Sequence, residues 1–155
     1  MTTHSLTALA PDLTRRAPRS LRSRLGGYAI LPRLLDKCRA AIAGTIGEYH
    51  TNCPLDAQFL EFTGIDYAAL KAELAQGRTD SEMLAWITAQ SRPRLTKWEI
   101  ETWSDYQERR GPESDPGTTG FFASTLATLS ATRTDIRAWA DLLDLDDHVS
   151  FGGSA

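Results

Sequence analysis

The chain has 155 residues, of which 41% are hydrophobic and 24% are charged. This length and composition are typical of one globular domain and exclude a disordered chain. Two cysteines are too few for a disulfide framework. The N-terminus lacks the apolar core of a signal peptide, and the longest apolar runs are too short to cross a membrane. We therefore expect a single domain in a reducing cytoplasm, with no membrane partner.

The net charge of −3 is unevenly distributed along the chain. Residues 1–40 contain eight Lys/Arg and two Asp, whereas residues 41–155 contain nine Lys/Arg and 18 Asp/Glu. Five of the arginines lie within residues 15–24. This pattern predicts a basic front end and an acidic body, which attract either each other or two different partners.

Residues 1–24 show no sustained hydrophobic periodicity and contain Pro11 and Pro18. They are predicted to form an extended basic arm. Gly26 and Gly27 then favour a turn with positive φ, a conformation that glycine adopts without a steric penalty.

Hydrophobic spacing and capping signals predict helices in the rest of the chain, residues 25–155. The first should cover residues 29–43, with Pro32 in its first turn. Thr79 and Thr96 each precede a glutamate by three residues, which is the capping-box pattern. The predicted helices begin near residues 29, 54, 67, 80, 97, 119 and 134 or 135. Strand signals are nearly absent, so the sequence predicts an all-α single compact domain of about seven short helices.

Five segments resemble a bacterial family catalogued as domain of unknown function 5069. They are RLGGYAILPRLLDKCRA, GEYHTNCPLD, FLEFTGID, WSDYQERRGP and DLLDLDDHVSFGG. The resemblance covers about Asp12 to Gly153, nearly the whole chain. It implies one full-length domain and brings with it no activity, cofactor or catalytic residue.

The first candidate for chemistry is a thiol site formed by Cys53 and His50. Pro54 suits the first position of a helix, so Cys53 is the expected N-cap, where the helix dipole favours a thiolate. His50 lies three residues earlier and could act as a base. Asp56 in the same turn opposes the thiolate. The alternative is an ordinary cap residue beside a histidine that hydrogen-bonds a turn.

A second candidate is a small-molecule pocket between the helices. The predicted ligand-binding residues are Gly26, Gly27, Tyr28, Arg33, Tyr49 and Trp98. Aromatic side chains would line such a cavity, and a charged side chain would orient the ligand. Aromatic residues at helical spacing also occur as plain core, which is the alternative here.

Metal and cofactor sites are not predicted. Cys38, His50, Cys53 and Asp56 are ligand types, but the CxxC, HxxxH and HExxH patterns are absent. Phosphate-binding motifs such as GxGxxG are absent as well.

The arginines of residues 15–24 could neutralise nucleic-acid phosphates. Interleaved aromatic residues are lacking and the body is acidic, so nucleic acid is an unfavoured partner and an arm lying across the body is preferred. The leading prediction is a small-molecule or protein binding module with a site near residues 26–56. The alternatives are a small enzyme using Cys53 and His50, and nucleic-acid binding through the arm.

Overall fold

The computed structural model describes residues 5–155 and contains eight α-helices in this range. They are α1 (Leu6–Leu9), α2 (Leu31–Ala43), α3 (Pro54–Thr63), α4 (Tyr67–Leu74), α5 (Asp80–Gln90), α6 (Lys97–Arg109), α7 (Thr119–Leu129) and α8 (Trp139–Ser150). Two 3₁₀ turns, Pro112–Ser114 and Pro116–Thr118, precede α7. The described residues form no strand beyond one isolated bridge. The all-α prediction is confirmed.

The main hydrophobic core surrounds α2, whose apolar side chains pack against α3, α4 and α5. Its fully buried members include Leu31, Leu34, Leu35, Phe59 and Met83. A smaller cluster joins α7 to α8 through Phe122, Ile136, Leu142 and Leu145. The helix at residues 31–43 is therefore the central element of the fold.

The helix starts agree with the capping chemistry of the sequence. The backbone N–H of Thr79 donates to Glu82 at 2.8 Å, and that of Thr96 donates to Glu99 at 2.7 Å. Cys53 is the N-cap of α3, with extended φ and ψ of −82° and 172°. These local signals positioned α3, α5 and α6 correctly.

The start of α8 was predicted wrongly. The sequence favoured residue 134 or 135, but the helix begins at Trp139. Asp135 instead pairs with Arg133 at 2.6 Å outside any helix. Asp141 accepts hydrogen bonds from the backbone N–H groups of Ala138 at 2.9 Å and Arg137 at 3.1 Å, and the first of these satisfies the N-cap residue of the helix. A carboxylate inside the helix, rather than one preceding it, provides the cap.

The arm is attached to the body by buried side chains and by ion pairs. Leu13 and Leu21 are each 1% exposed, and the backbone N–H of Ile30 donates to the carbonyl of Leu21 at 2.9 Å. Its ion pairs are Arg19 with Asp36 and Asp80, Arg22 with Asp141 and Asp144, and Arg24 with Asp105 and Glu108. The arm therefore contacts α2, α5, α6 and α8.

Gly26 and Gly27 form a two-residue turn between Leu25 and Tyr28, with φ of 59° and 86°. An L side chain is strained at these angles, and a Cβ on Gly26 would also overlap the side chain of Leu84.

We expect Gly26→Ala to lower the free energy of unfolding by about 1–2 kcal/mol because of this left-handed strain. Urea unfolding measures the change. Gly120→Ala in α7 is the matched control, since its Cβ meets no atom within 4 Å. The control should be neutral or slightly stabilising. Equal losses in the two variants would contradict the turn strain.

Candidate functional site

The polar face of α2 is buried, like its apolar stripe. Arg33, Asp36, Lys37 and Arg39 are between 3% and 8% exposed. Each has an oppositely charged partner from another segment. Buried charges require such partners because their desolvation is costly. The two candidate sites lie at two of these pairs, Lys37 with Asp56 and Arg33 with Asp147.

Lys37 lies at the centre of the first candidate site, the Lys37 cluster, which also contains His50, Cys53 and Asp56. Its Nζ donates to Asp56 Oδ1 at 2.9 Å, to the carbonyl oxygen of His50 at 3.0 Å and to Cys53 Sγ at 3.4 Å. These three contacts use all three ammonium donors. Asp56 is 0% exposed, and its second oxygen, Oδ2, is buried with no hydrogen-bond partner. Lys37 thus connects α2 to the turn and to the first residues of α3.

Lys37 Nζ contacts both residues of the predicted thiol site, Cys53 and His50. Cys53 is half-buried at the helix start, while His50 is exposed. The contact made by His50 is through its backbone carbonyl, and its imidazole forms no hydrogen bond or ion pair within residues 5–155. Lys37, rather than the imidazole, is therefore the ionisable group beside the Cys53 thiol.

Cys38 is fully buried beside the same cluster. Burial, together with the negative charge of Asp56, raises the pKa of its thiol to about 12. A hydrogen bond with Tyr67 opposes this shift, and the Tyr67 hydroxyl donates to Thr51 Oγ1 at 2.7 Å. Cys38 is thus protonated at neutral pH and shielded from solvent, so it is unreactive.

Part of the predicted ligand-binding set lies in the core. Tyr28 is 2% exposed and packs edge-to-face against Phe59, with ring centroids 5.4 Å apart. Gly26 and Gly27 form the turn that leads into it. Trp98 is at the opposite extreme, 66% exposed on α6. The role of these four residues in binding stays a prediction.

The other two predicted residues, Arg33 and Tyr49, meet at Asp147 of α8. Arg33 donates to Asp147 through Nη1 at 2.7 Å, and the Tyr49 hydroxyl donates to it at 2.8 Å. The guanidinium carbon of Arg33 also lies 5.6 Å from the centre of the Tyr49 ring. Burial and the contact with Asp147 raise the pKa of Tyr49 well above its usual range. This contact holds the GEYH turn against the last helix.

A surface cleft of about 360 Å³ lies beside Tyr49. We define the acidic cleft by its lining residues Leu13, Thr14, Gly47, Glu48, Tyr49, Asp146, Ser150 and Phe151. They come from the arm, the turn after α2 and the end of α8. The volume lies within the range of small-molecule sites. The acidic cleft is the second candidate site.

A family model described as Domain of unknown function (DUF5069) matches residues 15–149. The chain belongs to this family. The matched region of DUF5069 begins within the arm, and it contains the Lys37 cluster and four of the eight residues that line the acidic cleft. A comparison with curated proteins finds none that matches the chain.

The structure adds residues of this DUF5069 chain that sequence reasoning did not place in a site. Lys37, Asp147 and Phe151 are the main ones. Lys37 lies on the polar face of α2, and nothing in its spacing connects it to Cys53 or Asp56. Asp147 and Phe151 lie about 100 residues from Tyr49 in the sequence, and no local pattern connects them.

Two further observations concern the described part of the DUF5069 chain. No helix between residues 5 and 155 is long and apolar enough to cross a membrane. In the same range, no group of three or more His, Cys, Asp or Glu side chains is arranged to hold a metal ion.

Proposed function

We propose that the protein is a binding module for a small organic cation, which occupies the acidic cleft. The observation that carries this proposal is the pair of carboxylates, Glu48 and Asp146, beside the aromatic rings of Tyr49 and Phe151. Neither carboxylate has a cationic partner within residues 5–155. A ligand with a positive charge and an apolar portion would complement both parts of this lining.

The ion pairs of α8 distinguish Asp146 from its neighbours. Asp141 and Asp144 both bind Arg22, and Asp147 binds Arg33. Among residues 5–155, Asp146 accepts only from the hydroxyl of Ser150, at 3.4 Å. Asp146 therefore lines the cleft with a charge that no cation among the described residues neutralises. Carboxylates near the C-terminus of a helix are unfavourable, so a cation there adds stability.

The aromatic lining supports an organic ligand over a bare metal ion. Phe151 is 39% exposed, and an ammonium group is attracted to the face of such a ring. Leu13 contributes apolar surface at the arm side of the cleft. An alkyl amine would therefore place its nitrogen near the carboxylates and its carbon chain against Leu13 and Phe151.

The test is thermal unfolding of the full chain with a protonated alkyl diamine and with a neutral diol of the same chain length. At 100 times its dissociation constant, a ligand adds about 2.7 kcal/mol to the stability. For a protein of this size, that raises Tm by about 5–11 °C. The diol should have little effect. Equal shifts with the diamine and the diol would contradict a cation site.

Charge-neutralising variants locate the site. Asp146→Asn and Glu48→Gln should each reduce the shift that the diamine causes, and the double variant should abolish it. Glu61→Gln is the matched control, since Glu61 is an exposed carboxylate on α3 outside the cleft. It should retain the shift. A loss in the control equal to that in the cleft variants would contradict binding at this site.

A reactive thiol at Cys53 is the second candidate function. The 3.4 Å contact between Lys37 Nζ and Cys53 Sγ favours it, because an ammonium group stabilises a thiolate. The start of α3 adds the positive end of its dipole.

We expect iodoacetamide to label Cys53 much faster than Cys38 at pH 7. Cys38 is buried and its pKa is raised to about 12, so it presents almost no thiolate. Peptide mass spectrometry over a time course measures both rates in one sample. The denatured protein, in which both thiols are accessible, is the control. Equal and slow labelling of the two cysteines in the folded protein would end this candidate.

A further inference from the structure

Cys53 is placed beside an amine in a way that permits more than electrostatic stabilisation. Its sulfur is 3.4 Å from Lys37 Nζ, and the lysine side chain is 4% exposed. The hydrogen bonds to His50 and Asp56 hold Nζ in place. Cys53 itself is half-buried, so a small oxidant can reach it while the amine stays shielded from bulk solvent.

The second observation is made at Asp56, whose carboxylate accepts a hydrogen bond from Lys37. Asp56 is fully buried, yet its Oδ2 has no hydrogen-bond partner, while its Oδ1 accepts from Lys37. Buried acceptors are almost always satisfied in native proteins. An unpartnered carboxylate oxygen beside an ammonium group is suited to hold a proton that the ammonium group releases.

We infer that Cys53 and Lys37 form a reversible covalent sulfenamide link when hydrogen peroxide oxidises Cys53. This inference rests on the second candidate function, a reactive Cys53. The link would join Lys37, in the middle of α2, to Cys53, the residue that directly precedes α3. The site would then respond to peroxide, with the lysine acting as the resolving group that a second cysteine supplies in other redox sites.

The reaction has two steps, and both are balanced. In the first, the Cys53 thiol reacts with hydrogen peroxide, giving a sulfenic acid and water, so sulfur is oxidised and peroxide is reduced. In the second, one ammonium proton first passes from Lys37 to Asp56, which frees the lone pair of the nitrogen. The amine then attacks the sulfenic sulfur, so an S–N bond forms and the S–O bond breaks. The sulfenic oxygen takes a second proton from the nitrogen and leaves as water. Reduction by a dithiol reverses the link.

Formation of this product leaves the net charge of the cluster unchanged. In the resting state, a buried ammonium group faces a buried carboxylate. After the link forms, the nitrogen is neutral and Asp56 carries the proton, so no unpaired charge is left in the interior. An isolated buried charge would be costly, and the proton transfer to Asp56 avoids it.

The competing product is a disulfide with Cys38. This thiol is 0% exposed and hydrogen-bonded with Tyr67, and its pKa is raised to about 12. It therefore presents almost no thiolate to attack oxidised Cys53. Lys37 Nζ already contacts the Cys53 sulfur at 3.4 Å, so the amine is in position to attack it.

The experiment treats the full chain with a small excess of hydrogen peroxide and digests it with trypsin without reductant. We expect a cross-linked peptide that joins Lys37 to Cys53, with a mass lower than the sum of its parts by two hydrogen atoms. A disulfide has the same mass change, so fragment ions must assign the linked residue. Trypsin should fail to cleave after Lys37, and dithiothreitol should restore both the cleavage and the free thiol.

Two variants complete the test. Cys38→Ser should retain the cross-link, whereas Lys37→Arg should lose it while keeping a positive charge beside Asp56. Should Lys37→Arg fail to fold, the digest of the unmodified chain still decides, since it reports the linked residue directly. Oxidation of Cys53 to a sulfinic acid with Lys37 free would overturn the link, even if fast alkylation upholds the reactive thiol. A Cys53 inert to both peroxide and iodoacetamide would overturn both.

Discussion

Replacement of Lys37 by methionine is expected to lower the free energy of unfolding by about 3–5 kcal/mol, the cost of leaving a buried charge without its partner. Asp56 is 0% exposed and Lys37 is its sole ion-pair partner within residues 5–155. The carbonyl of His50 also loses its donor. Chemical denaturation with urea measures the change, which should appear in the midpoint with an unaltered slope.

The double variant Lys37→Met with Asp56→Leu separates the value of the pair from the cost of breaking it. Replacing both members of a buried ion pair with apolar groups is often nearly neutral. The double variant should therefore be more stable than Lys37→Met alone. Lys71→Met is the matched control, because Lys71 is exposed on α4 and should change stability by less than about 0.5 kcal/mol. A Lys37→Met loss no larger than this control would contradict the buried pair.

The helices were predictable from sequence because their signals are local. Cys53-Pro54, Thr79 with Glu82 and Thr96 with Glu99 each act within one helical turn, and each helix starts where these signals place it. The start of α8 was missed for the opposite reason. Asp141, inside the helix, accepts hydrogen bonds from the backbone N–H groups of Arg137 and Ala138 just before it. The backbone N–H of Trp139 donates to the carbonyl of Arg110 at 3.0 Å, a contact distant in sequence.

The sites were less predictable, because they depend on what covers each side chain. The GEYHTNCP turn was predicted to hold a thiol site of Cys53 and His50, and that role stays a prediction. The structure places Lys37 Nζ, which the prediction did not include, in contact with Cys53 Sγ. The spacing of Lys37 on α2 gives no sign that Cys53 and Asp56 lie against it. Tyr49 was included for its ring alone, and its partner Asp147 comes from the last helix. Long-range pairing of this kind leaves no trace in the local pattern of one sequence.

Truncation of residues 1–24 is expected to lower Tm strongly or to prevent folding. Leu13 and Leu21 are each 1% exposed, and full burial of a leucine contributes about 1.5–3 kcal/mol. Total stability of a domain is about 5–15 kcal/mol, so this loss is a large share of it. The truncation also uncovers Asp36 on α2, which Arg19 contacts at 2.8 Å. Thermal unfolding followed by circular dichroism measures the change, and an unaltered Tm would contradict an arm that belongs to the fold.

Two neighbouring substitutions in the arm identify which contacts hold it. Leu21→Ala should cost about 2–5 kcal/mol, because it leaves a cavity against α2. Arg22→Ala should cost about 1 kcal/mol or less, since its side chain is 39% exposed and solvent screens its pairs with Asp141 and Asp144. The reverse order would show that the arm is held by charge. With the expected order, buried leucines bind the arm, and its arginines mainly neutralise the acidic helix α8.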